Sequence, residues 1–268
     1  MIVLKIGGSL LEKGLNPTLV TDIKKVLETE RLVIVHGGGD EVTKIAEKLG
    51  KPQQFVVSPE GIRSRYTDEE TVKIYTMVMA GKINKETVAF LLGRGIPAVG
   101  LSGIDASLLK AKRKERLVIV DERGRKRVVD GGFTGKISQV NKGVIRLLTD
   151  NGYVPVISSV AIGDKCELLN VDSDRAAAYI AGALSADKIV FLTDVQGVFI
   201  EEKLVKKLSI AEAETLLPKM GAGMDKKVMA SIEAVKMGVK EAIIAPGSVE
   251  NSVTEAVNHR VGTVIAHE

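Results

Sequence analysis

Six predominantly apolar runs alternate along this chain with stretches of helical periodicity, and that alternation restricts the fold more than any other feature. The runs fall at residues 2–6, 32–35, 97–100, 154–157, 188–192 and 241–245. An unbroken apolar run is the pattern of a strand buried on both faces of a parallel sheet. Helical periodicity covers 17–28, 39–49, 68–80, 82–94, 141–151, 173–183, 209–217, 224–237 and 251–258. Gly50, Gly95, Gly152 and Gly238 stand at helix ends, where a left-handed residue stops the hydrogen-bond ladder. Strand and helix in alternation predict an α/β fold, a three-layer αβα sandwich around a mainly parallel central sheet. The stretch Ser158 to Asn170 reads as a hairpin or crossover and divides the chain into an N-terminal lobe, 1–170, and a C-terminal lobe, 171–268.

The chain has 268 residues, 45% hydrophobic and 27% charged, enough to bury a sizeable core. No apolar run approaches the ~20 residues of a membrane span, and Lys5 interrupts the first run too early for a signal peptide. A cytoplasmic location without a membrane partner is expected. The single Cys166 excludes an internal disulfide, and His36, His259 and His267 lack ligand spacing, so no metal held by protein side chains is expected.

The first strand runs straight into chemistry: Met1-Ile-Val-Leu-Lys5-Ile-Gly7-Gly8-Ser9. A glycine turn after a strand lets backbone N–H groups approach an anion, and a lysine in a nearly apolar strand is costly unless an anion receives it. The arrangement recurs at Leu32-Val-Ile-Val-His36-Gly37-Gly38-Gly39. Neither loop has the spacing of a P-loop or of the Gly-x-Gly-x-x-Gly fingerprint, yet two such turns beside one lysine suggest a polyphosphate. Asn170, Asp172 and Asp174 alternate at a helix start, more polar groups than one cap needs. Gly221-Ala-Gly223-Met224-Asp-Lys226-Lys227 puts two cations in a helix's first turn, against the dipole, unless an anion sits there. Phe191-Leu-Thr193-Asp194-Val-Gln-Gly197 ends a strand in a polar turn suited to a nucleotide.

These motifs together resemble the amino acid kinase family, in particular its acetylglutamate kinase-like members, over essentially the whole chain. The matching elements are Lys5, Gly7 and Gly8; His36 to Gly39; Arg63; Ala80 to Lys85; Val99 to Gly103; Asn170 to Asp174; Asp194 to Gly197; and Gly223 to Lys227. The resemblance implies the carbamate kinase-like fold, with ATP over the C-terminal lobe and a carboxylate acceptor over the N-terminal lobe. It implies that Lys5 and Lys227 contact the transferred phosphoryl group and that Asp174 orients both. ATP would be held by Gly7, Gly8, Thr193, Asp194, Gly197, Gly223 and Met224, with Mg2+ bridging its phosphates. Arg63 and Asn170, with the backbone of Gly38 and Gly39, would grip the acceptor. A homodimer is the expected assembly.

Two departures bear on the acceptor. The usual Arg-Val-Thr is here Arg63-Ser-Arg65-Tyr-Thr67, and residues 110–136 carry ten Lys or Arg against four acids, net +6 in a chain of net charge +4. That segment reads as a hairpin, Leu117 to Val120, a turn at Asp121 to Gly124, and Arg125 to Asp130. Both features resemble the branch of the family whose acceptor, aminoadipate or glutamate, rides on a small acidic amino-group carrier protein, LysW. Arg65, Arg113, Lys114, Arg125 and Lys126 would then dock the carrier by electrostatic steering. The alternatives are an N-acetylglutamate kinase and a non-catalytic nucleotide sensor. Nucleic acid fits less well, since only 3% of residues are aromatic and stacking surface is scarce.

Overall fold

The computed structural model describes residues 1–12 and 14–267. Its centre is an eight-stranded sheet in the order Lys207–Ser209, Thr263–Ala266, Glu241–Pro246, Lys188–Thr193, Ile2–Ile6, Leu32–His36, Val154–Ser158, Ala98–Ser102. The first two run antiparallel to the other six, which are mutually parallel. The runs are predominantly apolar because both faces are covered. Ile2, Leu4 and Ile6 pack with Ile34, Val156 and Leu192 against Leu19 and Ile23 of helix Pro17–Leu27 and Val253 of helix Ser252–Val257. Val3 packs with Val35, Ile157 and Phe191 against Ala177 and Ile180 of helix Ser173–Leu184 and Val228 and Val235 of helix Met224–Lys236. Since strand side chains alternate, Lys5 shares the face of Val3 and is aimed at those last two helices.

Ile2–Ile6 is where the strand order reverses. The next strand in sequence lies on one side and Lys188–Thr193 on the other. The crevice beyond the carboxyl end of such a strand is the usual ligand position in an open α/β sheet, and Gly7 and Gly8 stand there.

Three features exceed the sequence expectation: two further sheet strands, a π-helix, and a strand pair beside the expected basic hairpin. Thr263–Ala266 and Lys207–Ser209 extend the sheet. The periodicities at 68–80 and 82–94 form one continuous run, Glu69–Thr76, a π-helix Met77–Ile83, then Asn84–Leu92. The basic hairpin forms as Arg116–Val120 and Lys126–Asp130, its turn closed by Asp121 Oδ1 accepting from the N–H groups of Arg123 and Arg125. Phe55–Val57 and Arg63–Arg65 pair beside it in a four-stranded antiparallel sheet. Ser158 to Asn170 is a hairpin, Val160–Ile162 against Leu168–Asn170.

His36, at the carboxyl end of its strand, has no exposed surface. Burial pushes its pKa down to about 4, despite the bond to the Gly37 carbonyl and helped by Lys5 and Lys85 nearby. A folded-state pKa below the unfolded value of ~6.5 means that only the unfolded chain gains a proton on mild acidification, so stability falls from about pH 6.5 down to about pH 4. Urea titrations of wild type and of the non-titrating His36→Asn should therefore diverge in pH slope across that window. The expected difference is on the order of 3 kcal/mol; parallel slopes would show that the ring is not held neutral.

Candidate active site

The two glycine turns meet back to back. A Cβ on Gly8 would lie 2.9 Å from the Gly38 nitrogen, and one on Gly37 would lie 2.9 Å from the Gly8 nitrogen, so neither place admits a side chain without moving backbone. Gly38 adopts φ 152°, and its own Cβ would strike Ile83. Each turn leads into a helix, Gly8–Glu12 and Gly39–Lys48. The N–H groups of Gly8, Ser9, Gly38 and Gly39 precede the first intrahelical bonds and find no acceptor among the described residues. Four converging donors of this kind suit an anion.

Beside them the structure brings Lys5, Asp174 and Lys227 together from three distant parts of the chain. Lys5 Nζ lies 2.7 Å from Asp174 Oδ1 and Lys227 Nζ 3.6 Å from Oδ2, with side-chain exposures of 5%, 8% and 16% for Lys5, Asp174 and Lys227. Oδ1 has no aligned hydrogen-bond donor, so its contact with Lys5 is an ion pair held by charge and packing. Burial alone would raise the Asp174 pKa; the Lys5 and Lys227 charges outweigh it and hold the carboxyl below the ordinary range. Its neighbour Asp172 goes the other way, raised by burial and by the Asp174 charge. Asp172 also caps helix Ser173–Leu184, accepting from the N–H groups of Asp174 and Arg175 at 3.0 Å each. Environments that push two nearby carboxyls apart in this way are common in sites that manage charge.

The lysines that opposed their own helix dipole are thus answered within the protein. Lys227 turns to Asp174, and Lys226 Nζ stands 4.0 Å from Asp172. Asp225, unremarked in the sequence, accepts at Oδ1 from the N–H groups of Gly223 and Lys226 and supplies the anion the first turn favours. Arg175 pairs through its guanidinium with both carboxylate oxygens of Glu233, tying the first turn of helix Ser173–Leu184 to helix Met224–Lys236.

A cavity of about 630 Å³ lies beside this cluster, lined by Gly38, Gly39, Arg63, Arg65, Asn170, Asp172, Gly223 and Lys226 and walled by the four-stranded sheet through Phe55, Leu117 and Val118; Lys5, Asp174 and Lys227 are not among its lining residues. Asn170 Nδ2 donates to Thr67 Oγ1 at 3.0 Å. The Arg63 guanidinium stacks over Phe55 at 3.6 Å from the ring centre. Arg65 is half-buried, donating to the Gly39 carbonyl at 2.6 Å, to Thr43 Oγ1 at 2.9 Å and to Gln53. Of the residues expected to dock a carrier, Lys114 lines the cavity, its pKa lowered by burial and by Arg175 and Lys136. Arg113 donates to the Gly132 carbonyl and covers Phe133, Arg125 pairs with Asp121, and Lys126 is exposed.

Thr193, Asp194 and Gly197 sit outside that cavity, at the carboxyl end of the neighbouring strand. Thr193 Oγ1 donates to Asp194 Oδ1 at 3.0 Å, and Gly7 N–H donates to the Leu192 carbonyl at 3.1 Å, linking this turn to the first glycine turn. Gly197 takes φ 148°, and a Cβ there would press on Thr263 Oγ1 at 2.7 Å. Met224 begins the helix that carries Lys227 and packs against the core. Among the described residues no group of three or more His, Cys, Asp or Glu is placed to hold a metal ion, and no helix is long and apolar enough to cross a membrane.

The amino acid kinase family model matches residues 1–246. A relative from Nitrosopumilus maritimus is 53% identical over 268 residues, covering 100% of both chains. The [LysW]-aminoadipate/[LysW]-glutamate kinase of Sulfolobus acidocaldarius is 41% identical over 266 residues, 99% of this chain and 100% of that one. Among solved structures, carbamate kinase from Giardia shares the fold, with a TM-score of 0.68 at 15% identity over 100% of this chain and 98% of that chain. The match of the family model to residues 1–246, the shared fold and the full-length similarity lead to one assignment: the chain belongs to the amino acid kinase family.

Proposed function

We propose that this protein transfers the γ-phosphoryl group of ATP to the side-chain carboxylate of 2-aminoadipate, glutamate or both, carried through the amino group on an acidic LysW-type carrier protein, in lysine or arginine biosynthesis. The observation that carries the reading is Asp174 held between Lys5 and Lys227 beside four unengaged glycine-turn N–H donors. A carboxylate of pKa ~4.3 is ionised at neutral pH and needs no general base, which agrees with a site whose nearest imidazole, His36, is sealed inside. Phosphoryl transfer then requires alignment and charge neutralisation. Lys5 and Lys227 flank the transferred group, and Asp174 fixes both ammonium groups. Gly8, Ser9, Gly38 and Gly39 present backbone donors, Gly7 shapes the turn with its own N–H on the Leu192 carbonyl, and Arg63 and Asn170 hold the acceptor in the cavity. Thr193, Asp194, Gly197, Gly223 and Met224 bound the nucleotide. Mg2+, carried in on the ATP phosphates and water rather than by a carboxylate cage, supplies charge neutralisation.

The hairpin surface, with Arg65, Arg113, Lys114, Arg125 and Lys126, forms the docking face for the acidic carrier. ATP turnover measured with free glutamate, N-acetylglutamate and carrier-linked aminoadipate or glutamate tests the whole reading. Turnover is expected on the carrier-linked acceptors. Reversing the charges at Arg113, Lys114, Arg125 and Lys126 should raise their KM about 10-fold or more at low salt, with the effect shrinking as salt rises. Activity on N-acetylglutamate alone would overturn the acceptor, and turnover of none would favour a nucleotide sensor.

A further inference from the structure

We infer that Asn84 and His36 form a hydrogen-bond relay that turns the Gly38 N–H into the active site, which makes them positioning residues for the reaction proposed above. Only the kinetic consequence rests on that reading; the relay itself is geometry. It starts at Lys85, whose ammonium has only protons to offer and lies 3.1 Å from Asn84 Oδ1 and 3.1 Å from the Gly100 carbonyl. That contact orients the amide, with Oδ1 toward the lysine. On the other side, Asn84 Nδ2 faces the carbonyls of Val156 at 2.9 Å and Leu101 at 3.2 Å, which can only accept. Both constraints agree on which end of the amide is nitrogen.

The third neighbour of Nδ2 is His36 Nε2, at 3.2 Å; with two protons for three acceptors, the amide gives one to the Val156 carbonyl and shares the other between Nε2 and the Leu101 carbonyl. Facing a donor, Nε2 is the acceptor, and the single proton of the neutral ring sits on Nδ1. Nδ1 lies 3.0 Å from the Gly37 carbonyl oxygen and donates to it. In a planar trans peptide the C=O and the following N–H point opposite ways. Pinning the Gly37 carbonyl against the buried ring therefore turns the Gly38 N–H away from the core, beside the Gly8 turn, where no described acceptor meets it. Asn84 and His36 both have no exposed surface. The π-helix Met77–Ile83 delivers Asn84 to this spot, and π-turns recur where a helix must re-aim a functional side chain.

Two substitutions separate donation to Gly37 from space filling. His36→Asn keeps a donor near the Nδ1 position, whereas His36→Gln sets its amide toward Asn84. In the glutamine variant kcat is expected about 10-fold or more below that of the asparagine variant, with the KM for ATP changing less than about 3-fold and similar losses of stability in urea. Equal kcat in the two variants would overturn the relay. Nitrogen NMR of the wild-type imidazole reads the tautomer without reference to activity. A proton on Nδ1 is expected, and a proton on Nε2 would overturn the relay even in a fully active enzyme. A protein inactive on every acceptor would sink the proposed function, and the ring tautomer would still decide the relay.

Discussion

Replacing Lys227 by alanine should lower kcat by on the order of 10²–10³-fold while moving the KM for ATP by less than about 3-fold, and Lys5→Ala should do at least as much. The asymmetry between kcat and KM follows from where these ammonium groups stand. In the proposed reaction nucleotide affinity would be spread over backbone donors of several turns, whereas the two lysines converge on one carboxylate, Asp174. Their charge matters most when negative charge is shared among the oxygens of a phosphoryl group in flight. Lys227 lies in the first turn of its helix with a 16% exposed side chain, so its truncation leaves the helix core of Val228, Ile232 and Val235 untouched. Steady-state kinetics with thermal melts on the same samples checks the expectation; near-normal turnover in both variants would remove the proposed function.

Asp174→Asn is expected to damage both folding and turnover. Lys5 is 4% exposed within an otherwise apolar strand, and its partner carboxylate is its main compensation. Removing one member of a buried pair typically costs about 3–5 kcal/mol, because the remaining charge is left uncompensated. The same change frees both lysines from their fixed positions, and kcat should fall about 100-fold or more. The double variant Lys5→Met with Asp174→Asn separates the two effects. Stability should return toward wild type, since without Lys5 no uncompensated charge is left buried in the strand, and activity should stay lost. Denaturant titration and kinetics on the three proteins decide it; a double variant as unstable as Asp174→Asn would mean that Asp174 stabilises the fold by another route.

The parts of this architecture that were legible in the sequence share a physical cause. Ile2–Ile6, Leu32–His36 and Lys188–Thr193 are covered on both faces, so burial wrote itself as continuous apolar runs. Lys207–Ser209 and Thr263–Ala266 are short and lie toward the sheet margin, and Lys207 is exposed, so the run is too weak to stand out. Phe55–Val57 and Arg63–Arg65 earn their strand geometry by pairing with a distant hairpin, which no local pattern announces. The π-helix escaped because its apolar spacing still reads as α-helical on either side of Gly81.

The site divides along the same line. Glycine turns and the lysine in the first strand were readable because each is costly without a reason. Their meeting was not, since the Lys5–Asp174 contact depends on which face of the sheet the strand register turns toward helix Ser173–Leu184. Asp225, Arg175 and the Asn84–His36 contact carry ordinary helix and strand residue types. Only three-dimensional proximity marks them.

The place of the opening strand in the sheet has a consequence for the newborn chain. Ile2–Ile6 leaves the ribosome long before one of its two neighbours, Lys188–Thr193. At ~5–20 residues per second, synthesis up to that neighbour takes on the order of 10–40 s. Through that interval an apolar strand can pair on one side with Leu32–His36 while its other side stands open, the arrangement most prone to sticking to another nascent chain. Lys5 is the fourth of the five residues of that strand, and a charge within an apolar strand is a common deterrent to illegitimate strand pairing. A lysine placed for the proposed chemistry would thus also disfavour aggregation of the growing polypeptide, until Asp174 and the later strands close around it.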